Sequence, residues 1–184
     1  MKKLIIAAVF VLAAASGVKA AGMEVGKVEV GIGPAVSIPL GCSEYKDAFK
    51  SSFAMDIYGQ YQIHEMIAVG LDLGYDFGHK SKVDGMDDLK FRVLQVTPFA
   101  KYEQPFELGG KKATWYGKAG LGLYRWSTPE FTIDGTTIAS DSGSKFGFNL
   151  GVGATMEVAS NISIGLDVTA HFITSAYTTE DGDK

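Results

Sequence analysis

Large apolar residues occupy every second position over long stretches of this chain. In KFGFNLGVGATMEV, residues 145–158, apolar side chains run from Phe146 to Val158, and the positions between them hold Gly, Asn, Thr or Glu. Strict alternation predicts a β-strand with two unlike faces. The same period of two recurs in six other stretches, and no helical period follows residue 20. The pattern therefore predicts an all-β protein.

Seven strands are predicted from this alternation. They are Lys27–Ile38, Ser52–Ile63, Ile67–Gly78, Lys90–Tyr102, Thr114–Trp126, Lys145–Val158 and Ile162–Thr174. His64–Met66 and Ala159–Asn161 are tight connections, and Glu103–Ala113 is a longer one at the same end. The opposite end carries three longer polar segments, Pro39–Lys50, His79–Asp88 and Ser127–Gly143. This order predicts an antiparallel up-and-down meander.

Two local irregularities modify this meander. Phe91 and Val93 have the opposite parity to the apolar positions that follow them, which predicts a β-bulge near Val93. Asp134-Gly135 lies between short alternating runs, a pattern typical of a type I′ hairpin. We interpret that hairpin as an outward extension of the fifth and sixth strands, because its sides are too short to cross a membrane.

The polar face of the strands is rich in glycine, which indicates which solvent it meets. Water-facing strands usually carry charged residues and threonine, and glycine weakens an exposed strand. Inside a narrow barrel, however, glycine makes room opposite large inward residues such as Tyr58 and Tyr116. A soluble lipocalin-like barrel would turn its apolar face inward. The pattern instead favours a transmembrane β-barrel whose apolar face meets lipid.

Aromatic residues on the apolar face cluster near the two strand ends, as expected for side chains at the two bilayer interfaces. The predicted aromatic girdle comprises Phe53, Tyr75, Phe77, Phe146, Phe148 and Phe172 at the long-loop end, and Tyr61, Tyr102 and Trp115 at the short-turn end. Most predicted strands reach or exceed the roughly 9–11 residues that a tilted strand needs to cross hydrocarbon. Ordinary core aromatics would scatter rather than form two levels.

The first 20 residues are typical of a cleaved secretory signal peptide. Lys2 and Lys3 precede an apolar run too short to span a bilayer as a helix, and Val18-Lys19-Ala20 resembles a cleavage site. Residues 21–184 then form one barrel domain, which an exported chain would place in the outer membrane of a Gram-negative bacterium. The chain has a formal net charge of −4 and no basic run, which argues against nucleic acid.

The chain resembles the small bacterial outer-membrane β-barrel family that includes OmpX-like and opacity-type proteins, often called the porin family. The resemblance rests on VTPFAKYE, WYGKAGLGLY, and FGFNLGVGATMEV followed by a tight turn and ISIGLDV. It implies a β-barrel of eight transmembrane strands in the cell envelope. It also implies outer-membrane lipid, lipopolysaccharide, periplasmic chaperones and the barrel-insertion machinery as partners.

Only seven of the eight expected strands are visible in residues 21–184. Bacterial single-chain barrels have an even number of strands, and the family usually closes with a strand that ends in an aromatic residue. The chain ends in Lys184. We interpret the sequence as lacking the closing C-terminal strand. Alternatively, an eighth strand lies within Ser127–Gly143, or one predicted strand is really two.

Charged residues on the inward face predict a lumen charge network. Its members are Lys27, Glu29, Asp72, Lys101, Lys118, Glu157, Asp167 and His171. Lys118 and Glu157 are expected at similar heights on neighbouring strands, so we predict that they pair. Unpaired charges are costly in a desolvated lumen, and eight strands leave an interior about filled by side chains. No spacing predicts a metal site or a cofactor.

Three functions are compatible with this sequence. The first is envelope structure or surface adhesion, in which loops 39–50, 79–88 and 127–143 bind an extracellular protein. The second is a narrow porin or small-solute channel. The third is a lipid A-modifying enzyme in which His79 activates Ser81 beside Asp76. We predict the first and expect no enzymatic activity, because solvated loop residues explain the His79-Lys80-Ser81 stretch.

Overall fold

The protein is a closed antiparallel β-barrel. The structure is a computed structural model, and it describes residues 6–18, 25–41, 43–83, 89–133 and 136–174. Its elements are β1 (Ile6–Val18), β2 (Val28–Gly41), α1 (Ser43–Ala48), β3 (Ser52–His64), β4 (Ile67–Lys80), β5 (Lys90–Leu108), β6 (Lys111–Thr128), β7 (Phe131–Ile133), β8 (Thr136–Ile138), β9 (Asp141–Ala159) and β10 (Ile162–Ile173). The barrel order is β1-β10-β9-β6-β5-β4-β3-β2, and β7 and β8 form a separate hairpin.

Strand β1 occupies the eighth position of the barrel. It pairs with β10 from Ile6 opposite Ile173 to Val18 opposite Ile162, and it also pairs with β2. The other seven barrel strands are those that alternation predicts. Strand β1 lies within the predicted signal peptide, residues 1–20. In the structure this segment closes the barrel, and its cleavage remains a prediction.

The distribution of side chains is inverted relative to a water-soluble protein. Leu121, Phe146 and Leu166 point outward with 72%, 70% and 63% of their surface exposed. Inside, Thr97 is 0% and Asn149 is 1% exposed. Apolar residues therefore form the outer wall, and polar, small and tyrosine side chains fill the interior. This is the arrangement predicted for a barrel surrounded by lipid.

The strands extend further at the turn end than alternation predicts. Glu103–Ala113 is not an irregular connection: β5 and β6 continue through it and meet at a two-residue turn of Gly109 and Gly110. Both glycines have positive φ, 61° and 76°, which is the backbone of a type I′ turn. Alternation does not predict this hairpin, because Pro105 and a charged tip interrupt the pattern.

A bulge does occur near the predicted place, but it lies in the neighbouring strand. Asp76 pairs with Val93, and the next pair is His79 with Phe91, so β4 carries one extra residue. Gly78 absorbs it with φ 124°. Strand β5 keeps a single parity, and Val93 is buried inside the barrel. The bulge turns both Asp76 and His79 inward although they are three residues apart.

The long-loop end is partly ordered by contacts between its connections. Helix α1 was not predicted, because six residues are too few to show helical periodicity. Phe49 bridges to Ser81, and the amide of Lys82 donates to the carbonyl of Ala48 at 2.7 Å. The predicted extension of the β6 and β9 strands is present, capped by the β7–β8 hairpin. Asp134-Gly135 and Cys42 lie outside the described residues.

Among the described residues, no helix has the length and apolar character required to cross a membrane.

Candidate functional site

The centre of the lumen is organised around the ammonium group of Lys118. This side chain extends from β6 and lies 3.2 Å from Oδ2 of Asp72 on β4 and 3.5 Å from Oδ1 of Asp167 on β10. Tyr116 on the same strand donates to Asp167 at 3.0 Å. One cation thus joins carboxylates from opposite walls. Because all three charged groups are mostly buried, each compensates the desolvation of the others.

The predicted pairing of Lys118 with Glu157 is wrong. The β6–β9 register places Lys118 opposite Gly151 and Ala113 opposite Met156, so Glu157 lies far toward the turn end. There it lines a surface depression with Lys111 and Lys112. The error is one of register, which alternation does not fix when several inward positions are equivalent glycines.

A second group of charges surrounds Lys101. Its ammonium lies 3.4 Å from Glu103 and sits over the rings of Tyr116 and Tyr58, at 4.2 Å and 5.1 Å from their centroids. The tyrosine faces supply cation–π attraction to an ammonium group whose residue is almost fully buried. Glu103 is not in the predicted charge network, because the predicted strand ends at Tyr102 whereas β5 continues to Leu108. Continued alternation from Lys101 to Glu103 was the available signal.

Glu29 links this group to strand β2. Tyr58 donates to Glu29 at 2.7 Å, and the Gln60 amide bridges Glu29 at 3.4 Å and Glu103 at 3.1 Å. Lys27, the residue before β2, is half-buried nearer the turn end. His171 lies on β10 with Asp167, lines the central cavity beside Lys118, and places its Nδ1 2.9 Å from the hydroxyl of Tyr124. The predicted network is therefore two clusters around Lys118 and Lys101, with Lys27 and Glu157 nearer the turn end.

The lumen contains little empty space. The central cavity is about 40 Å³ and is lined by Asp56, Tyr58, Asp72, Phe99, Lys118 and Asp167, among others. Since a water molecule needs roughly 10–15 Å³ by this measure, the cavity has room for only a few waters. Across the described residues, no three His, Cys, Asp or Glu side chains are placed to hold a metal ion. Side chains therefore fill most of the described interior.

The predicted girdle residues lie on the outer surface, and several touch one another. Near the long-loop end, Phe77 contacts Phe53 at 5.5 Å and Tyr75 at 5.0 Å between ring centroids, and Phe148 stacks on Phe172 at 4.7 Å. Phe146 is exposed beside them. At the turn end, Tyr102 contacts Trp115 at 6.0 Å, and Tyr61 is 47% exposed. Their role as interfacial anchors remains a prediction.

The His79 side chain contacts a different serine from the predicted one. Its Nε2 lies 3.1 Å from Ser37 and 2.8 Å from Asp76, and its Nδ1 lies 2.7 Å from the carbonyl of Lys50. The Ser81 hydroxyl instead accepts a hydrogen bond from the backbone amide of Val83. A base for ester hydrolysis needs the serine on one ring nitrogen and the orienting carboxylate on the other. Here Ser37 and Asp76 both approach Nε2 of His79. The predicted arrangement, in which His79 activates Ser81, is therefore not formed.

An aromatic ladder joins the barrel wall to the first long loop. Phe49 contacts Phe91 at 5.6 Å, and Phe91 stacks on Trp126 at 5.9 Å with an interplanar angle of 14°. The amide of Lys50 donates to the carbonyl of Lys80 at 2.8 Å. Nδ1 of His79 lies 2.7 Å from the carbonyl of Lys50 and contacts the same loop from the barrel interior. The long-loop end is thus a supported surface on which residues 43–50 and 79–83 are held together.

Comparison with known proteins identifies a family over nearly the whole chain. Residues 4–184 match the sequence profile of the outer membrane protein beta-barrel domain. No curated protein matches the chain.

Two similar solved structures are both of Ail, the attachment invasion locus protein of Yersinia pestis. One, in complex with the heparin analogue sucrose octasulfate, has a TM-score of 0.39 and 15% identity and covers 95% of this chain and 99% of that chain. The other has a TM-score of 0.38 and 13% identity over the same shares. At these scores the likeness supports no argument about ligands.

Proposed function

The chain belongs to the outer membrane protein β-barrel domain family, and on that premise we propose that its long-loop end is an extracellular surface serving attachment or envelope structure. Bacterial barrels place short turns in the periplasm and long loops outside. The two-residue turns at 65–66, 109–110 and 160–161 share one end of this barrel. The connection around α1, residues 81–83 and the β7–β8 hairpin lie at the other.

An exposed strand edge on β9 is the observation that carries this proposal. Strands β6 and β9 stay paired up to Thr128 opposite Asp141, whereas the β10–β9 ladder ends at Ile173 opposite Gly147. Among the described residues, which end at Thr174, the last bond on that side runs from the amide of Thr174 to the carbonyl of Phe146. Within that part of the chain, residues 141–145 therefore present a strand edge beyond β10. Such an edge can pair with an extended segment of another protein by β-augmentation.

The filled lumen favours binding over transport. Lys101, Lys118 and their partners cross the interior from several walls, and the cavity between them is small and lies deep in the barrel. A narrow channel would need these charge pairs to move apart. We therefore propose that the barrel is a scaffold, that its exposed loops do the binding, and that it has no enzymatic role.

The free edge can be tested with one pair of substitutions. Because Phe146 directs its carbonyl toward β10, Ser144, two residues away, directs its amide to the same side. Ser144→Pro removes that donor and leaves the β6 ladder intact, since proline is tolerated on an edge strand. Ser144→Ala keeps the donor and is the matched control.

Attachment should be measured with intact cells that display each variant, on immobilised extracellular-matrix proteins. We expect Ser144→Pro, and deletion of residues 129–140, to reduce attachment, whereas Ser144→Ala retains it. Equal attachment by all variants would contradict the proposal. Single-channel conductance of the purified protein in planar bilayers would instead favour the channel.

A further inference from the structure

Three carboxyl groups and one ammonium group face the central cavity of the lumen. Asp56 on β3, Asp72 on β4, Asp167 on β10 and Lys118 on β6 all line this space of about 40 Å³. If every carboxyl group is ionised, two negative charges remain uncompensated there. Uncompensated charge is costly where water is scarce. The cavity thus has an excess of negative charge that its own lysine does not neutralise.

Hydrogen-bond donors are distributed unequally among these carboxyl groups. Asp167 accepts hydrogen bonds from the hydroxyl groups of Tyr116 and Thr169, and its Oδ1 lies 3.5 Å from Nζ of Lys118. Asp72 accepts a hydrogen bond from Nζ of Lys118 on Oδ2, at 3.2 Å. The other oxygen of Asp72, Oδ1, is buried and accepts no hydrogen bond within the described part of the chain. A donor is therefore missing at Asp72 and not at Asp167.

Asp56 lies beside the unsatisfied oxygen. In the β3–β4 ladder Asp56 pairs with Gly74 and Tyr58 pairs with Asp72, so the two aspartates are diagonal neighbours on the inward face. Among the described residues, Asp56 forms no ion pair and accepts one side-chain hydrogen bond, from Nε2 of Gln95 at 3.2 Å. Oε1 of Gln95, a residue only 2% exposed that also lines the cavity, has no hydrogen-bond partner. Two acceptor oxygens at this wall of the cavity therefore await a donor.

We propose that Asp56 and Asp72 form a proton-binding pair, in which the protonated carboxyl group of Asp56 donates to Oδ1 of Asp72 directly or through one water in the cavity. The proton is bonded to an oxygen of Asp56, because Asp72 is already paired as a carboxylate with Lys118. It supplies the missing donor and removes one of the two uncompensated charges. Neighbouring carboxyl groups that cannot both ionise share a proton in this way. The site lies in the barrel interior and is independent of the proposed attachment surface.

The other charged groups around the cavity favour retention of this proton. Glu29 on β2 and Asp167 on β10 add negative charge near Asp56. Lys118 on β6 and Lys101 on β5 already contact other carboxylates. Strand β9 supplies no charged residue to the cavity lining among the described residues. The remaining titratable groups that line it are Tyr58, Tyr116 and His171.

The pH dependence of stability tests the pair, with the full-length protein folded in vesicles of zwitterionic lipid. Above about pH 5 an aspartate of the unfolded chain is ionised, so folding takes up one proton and raising the pH favours unfolding. Asp56→Asn keeps a neutral group of the same shape and takes up no proton. We therefore expect the unfolding constant of the unmodified protein, divided by that of Asp56→Asn, to rise about tenfold from pH 5 to pH 6. Parallel profiles for the two proteins would overturn the proposal.

Two further variants separate the pair from a general effect of acidic residues. Glu157→Gln removes a carboxyl group near the turn end, outside the cavity lining, and should keep the pH profile of the unmodified protein. Asp72→Asn leaves Asp56 as the carboxylate that Lys118 can reach, so the pH-dependent ratio should disappear even though overall stability falls. If the ratio persists in Asp72→Asn, Asp56 holds the proton without its partner and the pair is wrong.

Infrared spectroscopy observes the bound proton directly. At pH 6, where ordinary carboxyl groups are ionised, the unmodified protein should show the carbonyl stretch of a protonated acid, and Asp56→Asn should lack it. Identical spectra would contradict the proposal. A metal cation in place of the proton is distinguished by exchanging potassium chloride for choline chloride at constant pH. Stability that depends on potassium in the unmodified protein, and not in Asp56→Asn, would overturn the assignment to a proton.

Discussion

Individual residues show how a barrel can hold charge where water is scarce. The ammonium group of Lys118 is stabilised by two carboxylates, and that of Lys101 is stabilised by two tyrosine rings that face it. The sequence predicts that these residues point inward. It does not predict their partners, because a partner lies across the lumen at a height that the shear of the barrel sets.

Lys118→Gln should destabilise the barrel, because Asp72 and Asp167 lose their shared cation. Breaking a buried pair by removing one partner typically costs about 3–5 kcal/mol. Urea unfolding in lipid vesicles, followed by tryptophan fluorescence, measures this change. Glu157→Gln is the control and should change stability by less than about 0.5 kcal/mol. A larger effect at Glu157 than at Lys118 would restore the pairing predicted from sequence.

Gly153 should tolerate no side chain, whereas Gly117 should accept one. A Cβ atom at Gly153 would lie 2.5 Å from the Tyr116 ring and 2.6 Å from the carbonyl oxygen of Leu166, while nothing lies within 4 Å at Gly117. Overpacking costs roughly 1–3 kcal/mol. We expect Gly153→Ala to show this loss in unfolding free energy and Gly117→Ala to be near neutral. Similar values for both would mean that the lumen is looser than described.

At the level of whole elements, the strands are longer than the membrane requires. Strands β5, β6 and β9 have 19, 18 and 19 residues, against roughly 9–11 needed to cross hydrocarbon. The excess forms the Gly109-Gly110 hairpin at one end and the free β9 edge at the other. Alternation predicts where the membrane-crossing part lies. Alternation does not predict the extensions. Water surrounds both of their faces, so neither face needs to be apolar.

Leu121→Lys tests whether the outer face of β6 meets hydrocarbon. Leu121 lies about midway between Trp115 and Arg125, at the level where a lysine costs roughly 2–4 kcal/mol in a bilayer. We expect that loss of unfolding free energy in lipid vesicles. Thr132→Lys, at an exposed position of β7, should change stability by less than about 0.5 kcal/mol. An equally small effect at Leu121 would indicate that water, rather than lipid, surrounds the wall.

For the whole molecule, closure of the barrel is the central requirement. An open sheet edge in hydrocarbon leaves amide and carbonyl groups unpaired, at several kcal/mol each. In the structure, β1 pairs with both β2 and β10 and removes those edges. The same segment carries the features of a signal peptide. If it is removed, the position between β2 and β10 must be filled by another strand.

The mature form should lack residues 1–20. The basic start, short apolar run and small-residue site predict cleavage after Ala20. Intact-mass measurement and N-terminal sequencing of protein extracted from outer membranes should show a chain that begins at Ala21. Recovery of Met1 or Lys2 in folded, membrane-embedded protein would contradict cleavage and identify β1 as the native closing strand.

The sequence by itself determined seven of the eight barrel strands, their inward and outward faces, the lipid-facing wall and the two ends of the barrel. It could do so because alternation reports local contact with one solvent or the other. Only the tertiary structure decided that β1 pairs with β2 and β10, that Lys118 joins Asp72 and Asp167, and that His79 contacts Ser37. Those contacts depend on register and shear, which bring together residues far apart in the chain and leave no periodic trace within any one strand.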